Sequence, residues 1–145
     1  MNRNKIVMQF APVSECDVPI IKFHIGDTEH YGIVDTGAET TIFNTSVVDL
    51  MESKKKKEIS IVGVSGESKP AIIVTGDTKI WMKNESNHLL ILKVHGYIND
   101  ISHLSSHFLE KFDDSIKIDA IFGSDMLNEF NAKVDFINKE ISFKL

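Results

Sequence analysis

The chain has 145 residues, of which 42% are hydrophobic and 26% are charged, as is ordinary for one soluble globular domain. Its net charge of -5 argues against a general nucleic-acid binder, since such proteins gain affinity from Lys and Arg that neutralise phosphates. No apolar run approaches the roughly 20 residues of a membrane-spanning helix. The apolar run near the N-terminus is too short for a signal peptide. We therefore expect a single domain over residues 1–145, a cytoplasmic location, and no nucleic-acid or membrane partner.

Short apolar runs separated by turn residues indicate a mainly β protein. In chain order, strands are predicted at residues 6–10, 18–25, 31–34, 59–61, 72–74, 79–82, 89–97, 133–137 and 140–143. Hairpin turns are predicted at residues 26–28, 63–66 and 138–139, because their Gly, Asp, Ser and Asn residues favour tight turns. Leu104, Phe108 and Phe112 recur every four residues and predict a short amphipathic helix over 101–112.

The segment Ile33-Val34-Asp35-Thr36-Gly37 places an acid at the end of an apolar strand. Packing gives no reason for an acid there, whereas the ends of strands are where scaffolds present reactive groups. Thr36 is expected to form a local hydrogen bond that keeps the loop rigid, and Gly37 to allow a tight backbone path that a Cβ atom would obstruct. By itself the Asp-Thr-Gly triplet is weak evidence, because it occurs by chance in roughly one chain in fifty.

A second segment, Ala120-Ile121-Phe122-Gly123-Ser124-Asp125-Met126-Leu127, again runs from an apolar strand into glycine and then opens a helix. The two segments together resemble the retroviral-type aspartic proteases, or retropepsins. The resemblance extends to residues 19–41, similar to their catalytic loop and its strands, and to residues 61–66, similar to their glycine-rich flap. It implies an all-β fold: a closed acid-protease-like barrel with a flap hairpin and one or two short helices.

The function implied by the resemblance is that of an aspartic endopeptidase, which hydrolyses peptide bonds with activated water. Without a metal or a covalent intermediate, this reaction needs one group that acts as a base and another that acts as an acid. The chain carries a single Asp-Thr-Gly and has the length of one lobe. We therefore expect a homodimer in which Asp35 of each subunit forms half of the dyad, with no metal or other cofactor.

The site residues implied by the resemblance fall into two groups. The catalytic group is Asp35, Thr36 and Gly37, with Thr36 expected to brace the two catalytic loops across the two-fold axis. The substrate is expected to be a peptide or protein in extended conformation, and its predicted binding residues are Ala38, Glu39, Gly63, Val64, Ser65, Gly66 and Ile121. Val34 and Ile42 are further candidates to wall side-chain pockets. Glu39 and Ser124 replace the Asp and Arg common in viral enzymes, so we expect a different dimer contact.

Simpler interpretations of these features stay open. Asp35 also fits a turn residue in a catalytically silent barrel that binds peptides or dimerises, and residues 63–66 also fit an ordinary hairpin turn. His103 and His107 are spaced for zinc, but no third ligand is evident and we expect both to be exposed. Lys54–Lys57 is interpreted as a solvated turn flanked by acids rather than as a docking patch for an acidic partner.

Overall fold

The computed structural model describes residues 5–11, 18–105 and 117–145. Within these ranges the elements are β1 (Lys5–Gln9), β2 (Ile20–Ile25), β3 (Thr28–Val34), β4 (Ile42–Asn44), a 3-10 helix (Thr45–Leu50), β5 (Ser53–Val62), β6 (Ser68–Lys83), β7 (Leu89–Asn99), β8 (Ile118–Phe122), α1 (Ser124–Glu129), β9 (Lys133–Asp135) and β10 (Glu140–Lys144). None of the described helices is long and apolar enough to cross a membrane.

Six strands form a closed barrel in the order β2-β3-β8-β4-β7-β6. The barrel closes between β2 and β6, where His24 pairs with Trp81 and the two rings stack with centroids 3.9 Å apart. β5 extends the sheet beyond β6 as an edge strand, and β1, β10 and β9 form a separate three-stranded sheet over the same core. The prediction of a mainly β protein with a closed barrel is confirmed.

The core is centred on Phe122, the last residue of β8. Its ring meets those of Phe23 and Phe43 edge to face, with centroids 5.2 Å and 6.4 Å away. All three side chains are fully buried, and burial of each such ring contributes about 1.5–3 kcal/mol. The end of β8, directly before Gly123, is therefore one of the most firmly fixed points of the fold.

The structure corrects the interpretation of Lys54–Lys57. These residues lie in β5 and pair with residues 73–76 of β6, so the prediction of a solvated turn was wrong, although all four side chains are exposed. β5 is the edge of the seven-stranded sheet. Charged side chains on an edge strand discourage pairing with another chain, which explains four lysines in a row.

Other boundaries also differ from the prediction. The separate strands predicted at 72–74 and 79–82 are one 16-residue strand, β6. β4 was missed because it has three residues, and β9 ends at Asp135 so that residues 136–137 belong to a turn. Of the helix predicted over 101–112, residues 103–105 are helical, while Phe108 and Phe112 lie outside the described residues.

A buried polar network, not predicted from the sequence, ties β3 and β8 to the 3-10 helix. His30 Nδ1 lies 2.8 Å from Asp119 Oδ2, and Ser46 Oγ donates to Asp119 Oδ1 at 2.9 Å. Asn44 Nδ2 donates in turn to Ser46 Oγ at 2.9 Å. Burial raises the pKa of Asp119, but the hydrogen bonds from His30 and Ser46 outweigh burial and hold this pKa below its ordinary value of 3.8.

Asp119 is therefore expected to stabilise the fold in its ionised form. Because its pKa is lower in the folded chain than in the unfolded chain, this stabilisation is fully present above pH 3.8 and is lost as the pH falls through the folded-state pKa. Asp119→Ala should lower the free energy of unfolding at pH 7 by about 2 kcal/mol, since it leaves His30 and Ser46 without their acceptor. Urea denaturation measures this difference.

Asp119→Asn is the matched comparison, because the amide keeps a hydrogen-bonding group in place and removes the titrating group. Its loss of stability between about pH 4 and pH 2 should be shallower than that of the wild type. Equal pH dependence in the two proteins would contradict the role assigned to Asp119.

Candidate active site

Asp35 lies directly after β3, where two hydrogen bonds fix its position. Its N–H donates to the carbonyl oxygen of Phe122 at 3.0 Å, which joins it to the end of β8. Its Oδ1 accepts the N–H of Gly37 at 2.9 Å, and a Cβ atom on Gly37 would lie only 3.3 Å from the same oxygen. The side chain is otherwise exposed, so a fixed carboxylate faces the solvent.

The rigidity expected from Thr36 comes from another residue. Thr36 is exposed, and its hydroxyl has no hydrogen-bond partner in the part of the chain that the structure describes. Thr41 is instead fully buried, and its N–H and Oγ1 donate to the carboxylate of Asp125 at 3.1 Å and 2.8 Å. Thr41 Oγ1 also accepts the N–H of Gly123 at 3.1 Å. These bonds fasten the far end of the Asp35 loop to α1.

Gly123 allows the two sequence segments to meet backbone to backbone. A Cβ atom at this position would lie 2.6 Å from the carbonyl oxygen of Thr40 and 2.8 Å from that of Ala38. The N–H of Ser124 donates to the latter oxygen at 2.7 Å. The φ angle of Gly123 is -90°, which any residue adopts, so the requirement for glycine here is one of space.

A cleft of about 380 Å³, the Asp35 cleft, opens beside the carboxylate. Its lining consists of Asp35 and Thr36 together with apolar residues, namely Val18, Pro19, Ile33, Val34, Leu104, Ile121 and Phe136. Four residues singled out from the sequence, Val34, Asp35, Thr36 and Ile121, therefore come together. The other five lining residues were not predicted as site residues: Val18, Pro19, Ile33 and Phe136 were assigned only to strands or the segments around them, and Leu104 only to a helix.

The remaining predicted site residues lie elsewhere in the single chain. Ile42 lines a second cleft, of about 300 Å³, between β4, β6 and β7. Ala38 is half-buried in the loop, and Glu39 is exposed. Residues 63–66 form the tip of the β5–β6 hairpin, as predicted, and are exposed rather than part of the Asp35 cleft.

The hairpin tip has a defined turn geometry. The N–H of Gly63 donates to the carbonyl oxygen of Glu67 at 2.8 Å, and that of Gly66 donates back to Gly63 at 2.9 Å. Gly66 has φ of +79°, a conformation that L side chains rarely adopt. Val64 is fully exposed at the tip, and Ile61 and Val62 are exposed on β5. The hairpin therefore presents both apolar side chains and main chain to the solvent.

Metal ligation finds no support in the described ranges, where no three His, Cys, Asp or Glu side chains are grouped to hold an ion. His103 is exposed at the start of the helical residues 103–105, and His107 lies outside the described residues. The sequence did not predict the roles of Thr41 and Asp125, whose hydrogen bonds fasten the Asp35 loop to α1. An Asp in the first turn of a helix is ordinarily read as a cap, so nothing in the local pattern distinguished Asp125.

A family model described as retroviral aspartyl protease matches residues 16–135. The chain belongs to the retroviral aspartyl protease family. The matched range includes the Asp35 loop, the β5–β6 hairpin and the Gly123 junction, and the sequence resemblance to retropepsins is confirmed.

Two solved structures of this retropepsin-like class are similar to the chain. One is the retroviral protease-like domain of Ddi1 from Leishmania major, with a TM-score of 0.52 and 14% identity over 91% of this chain and 94% of that chain. The other is a retropepsin-like aspartic protease from Rickettsia conorii, with a TM-score of 0.51 and 14% identity over 96% of this chain and 89% of that chain. The likeness concerns the fold. Comparison with curated proteins gives no significant match.

Gly123→Ala is expected to disrupt the junction, because the added methyl group would meet backbone that cannot move aside cheaply. We expect the free energy of unfolding to fall by about 3 kcal/mol, measured by urea denaturation. Gly63→Ala is the control, since its nearest neighbouring atom would lie 3.8 Å away in ordinary contact. Equal losses in the two variants would show that the junction does not require glycine for space.

Proposed function

We propose that the protein is an aspartic endopeptidase whose active site is completed by a second copy of the chain. The observation that carries this proposal is the geometry of Asp35. Its exposed carboxylate accepts the N–H of Gly37, its own N–H donates to the carbonyl oxygen of Phe122, and it lies at the mouth of an apolar cleft. Membership of the retroviral aspartyl protease family supports an aspartic protease type of function.

The chemistry requires two carboxyl groups. One, ionised, removes a proton from water as the water attacks the amide carbon, and the other, protonated, donates to the substrate. Two carboxylates about 3 Å apart cannot both ionise, so a dyad retains one shared proton. No second acid lines the Asp35 cleft among the described residues, which leaves Asp35 of another copy to complete the dyad.

The β5–β6 hairpin is assigned the role of a flap over the substrate. Its tip, residues 63–66, offers backbone groups that suit an extended peptide, which is recognised by main-chain hydrogen bonds in the manner of an added strand. Its exposed apolar residues would exclude water once the hairpin closes. Ala38 and Glu39 would contact the peptide from the opposite side, and apolar Val34 and Ile121 would receive its side chains.

The surface for the second copy is assigned to the turn between β9 and β10. Phe136 lines the Asp35 cleft and is 57% exposed, and Ile137 beside it is 93% exposed. Asp135 holds the turn, since its Oδ1 accepts the N–H groups of Ile137 and Asn138, both at 3.0 Å. A rigid turn that carries two exposed apolar side chains next to a half dyad suits burial by the partner.

Thr36 supports the same arrangement. Its hydroxyl is exposed and lacks a partner within the described residues, although it lies directly after Asp35 and lines the same cleft. In a two-fold dimer that brings the Asp35 side chains together, the Thr36 hydroxyls also approach the axis. Each hydroxyl would then hydrogen-bond to the catalytic loop of the partner subunit and brace the two loops against each other.

Asp35→Asn is expected to reduce hydrolysis of an unstructured protein at mildly acidic pH by at least about 100-fold, because an amide cannot serve as the base. The variant should remain a folded dimer, as measured by circular dichroism and sedimentation. Asp27→Asn, in the turn between β2 and β3, removes a charge away from the cleft and should keep wild-type activity. Undiminished hydrolysis by Asp35→Asn would overturn the proposal.

The same assay tests the alternative function, a catalytically silent module that binds peptides or dimerises. If the protein is a silent module, the wild-type protein should bind an extended peptide and leave it intact. In that case Asp35→Asn would change neither binding nor cleavage.

Ile137→Asp is expected to weaken the dimer, because it places a charge where an apolar side chain becomes buried. The dissociation constant from sedimentation should rise by at least about tenfold, and activity at low protein concentration should fall with it. Leu89→Asp is the control, since Leu89 is also exposed, at 53%, but begins β7. An active monomer in the wild type would refute the shared site.

A further inference from the structure

Another cleft, of about 450 Å³, lies on the three-stranded sheet rather than beside Asp35. Its lining is almost entirely polar, namely Lys5, Asn131, Lys133, Ser142 and Lys144, with Leu145 at one side. We call it the lysine cleft. Three lysines thus surround one concavity in a chain whose net charge is -5.

Strand register explains why the three lysines converge. Lys5 of β1 lies directly opposite Lys144 of β10, and Lys133 of β9 lies opposite Ser142 of β10. Ser142 and Lys144 are two residues apart, so they share a face of the pleated strand. The opposite face carries Ile141 and Phe143, which are fully buried in the core. The lysines are therefore held on the outer face by the packing of the inner one.

None of the three lysines forms an ion pair within the described residues, although the charge of Lys5 attracts Asp135 at longer range. No carboxylate lies within 4 Å of the amino group of Lys5, Lys133 or Lys144 in the described parts of the chain. The nearby Asp135 is engaged by the turn, where it accepts hydrogen bonds from Ile137 and Asn138. Like charges directly across an antiparallel pair destabilise a sheet, so the Lys5–Lys144 pair favours the binding of an anion between its members.

We propose that the lysine cleft is a binding site for a small multivalent oxyanion, a phosphate or the phosphoryl group of a larger molecule. Three ammonium groups supply charge that a divalent oxyanion matches and a monovalent chloride does not. The Ser142 hydroxyl, which forms no hydrogen bond within the described residues, adds a neutral hydrogen-bonding group, and so does the Asn131 amide, whose Nδ2 also donates to the carbonyl oxygen of Lys144 at 3.3 Å. The cleft has the volume of a small-molecule site, and charge-assisted hydrogen bonds are the strong ones.

Binding there would act on the sheet that carries the β9–β10 turn. β9 and β10 run from the lysine cleft to residues 136–139, and Phe136 in that turn lines the Asp35 cleft. An anion that neutralises the Lys5–Lys144 pair would stabilise the pairing of β1 with β10. The lysine cleft is thus a site for a ligand other than the peptide substrate, and its existence does not depend on proteolytic activity.

The test is a titration of the full chain with inorganic phosphate, followed by calorimetry and thermal unfolding, with sodium chloride at equal ionic strength as the reference. We expect saturable binding, and a rise in unfolding temperature of about 4 °C at a phosphate concentration ten times the dissociation constant. A response to phosphate no larger than that to chloride would overturn the proposal.

The variant Lys5→Gln/Lys144→Gln should raise the dissociation constant for phosphate at least about tenfold. It should fold, because it removes a repulsion between exposed side chains. Lys133→Gln is a second variant with the same expected direction and no change to the cross-strand pair.

The chain supplies a matched control in Lys79 and Lys93, which also lie directly opposite each other, on β6 and β7, and do not line the lysine cleft. Lys79→Gln/Lys93→Gln should bind phosphate as the wild type does. Equal weakening in the two double variants would show non-specific attraction to lysines, and unchanged binding in Lys5→Gln/Lys144→Gln would place the anion elsewhere. Either result would overturn the proposal.

Discussion

The backbone contact between Gly123 and the Asp35 loop is the constraint on which the candidate site depends. The carbonyl oxygens of Ala38 and Thr40 lie where a side chain at position 123 would begin, so the loop and the β8–α1 junction form one unit. Thr41 and Asp125 close that unit with three hydrogen bonds, and the buried ring of Phe122 anchors it to the core. The position of the carboxylate is thus set by main-chain geometry, which is preorganised before any substrate arrives.

The interior of the barrel is packed with buried apolar side chains, whereas the exposed apolar residues lie on the surface, two groups of them on a hairpin and a turn. This distribution suits the proposed site that is shared between two chains. The barrel buries its apolar side chains with near-perfect alternation, as β7 illustrates. Exposed apolar residues occur on the β5–β6 hairpin and on the β9–β10 turn, and β7 also carries some, such as Leu89 and Ile91, on its outer face. Of the first two regions, one is a long hairpin and the other borders the Asp35 cleft. Surfaces of this kind are costly for a monomer and are reasonable where a substrate or a second copy covers them.

The sheet of β1, β10 and β9 connects two different environments. Its inner face belongs to the main core through Met8, Ile141 and Phe143, whereas its outer face gathers lysines at one end and leads to Phe136 at the other. A strand's strict alternation makes both possible, because adjacent residues point to opposite sides. The sheet is therefore both a part of the core and a link between the lysine cleft and the Asp35 cleft.

The sequence by itself determined the mainly β class, the hairpin at residues 63–66 and the two motifs that contain Asp35 and Gly123, because these rest on local alternation, turn residues and short segments. It did not reveal β4, the continuity of β6 or the place of Lys54–Lys57 on an edge strand, since strand pairing depends on partners far along the chain. Only the tertiary structure decided that Thr41 and Asp125, rather than Thr36, hold the loop, and that Phe136 reaches the Asp35 cleft. Hydrogen bonds across 84 residues leave no local pattern, because each partner alone is an ordinary polar residue in a turn or a helix cap.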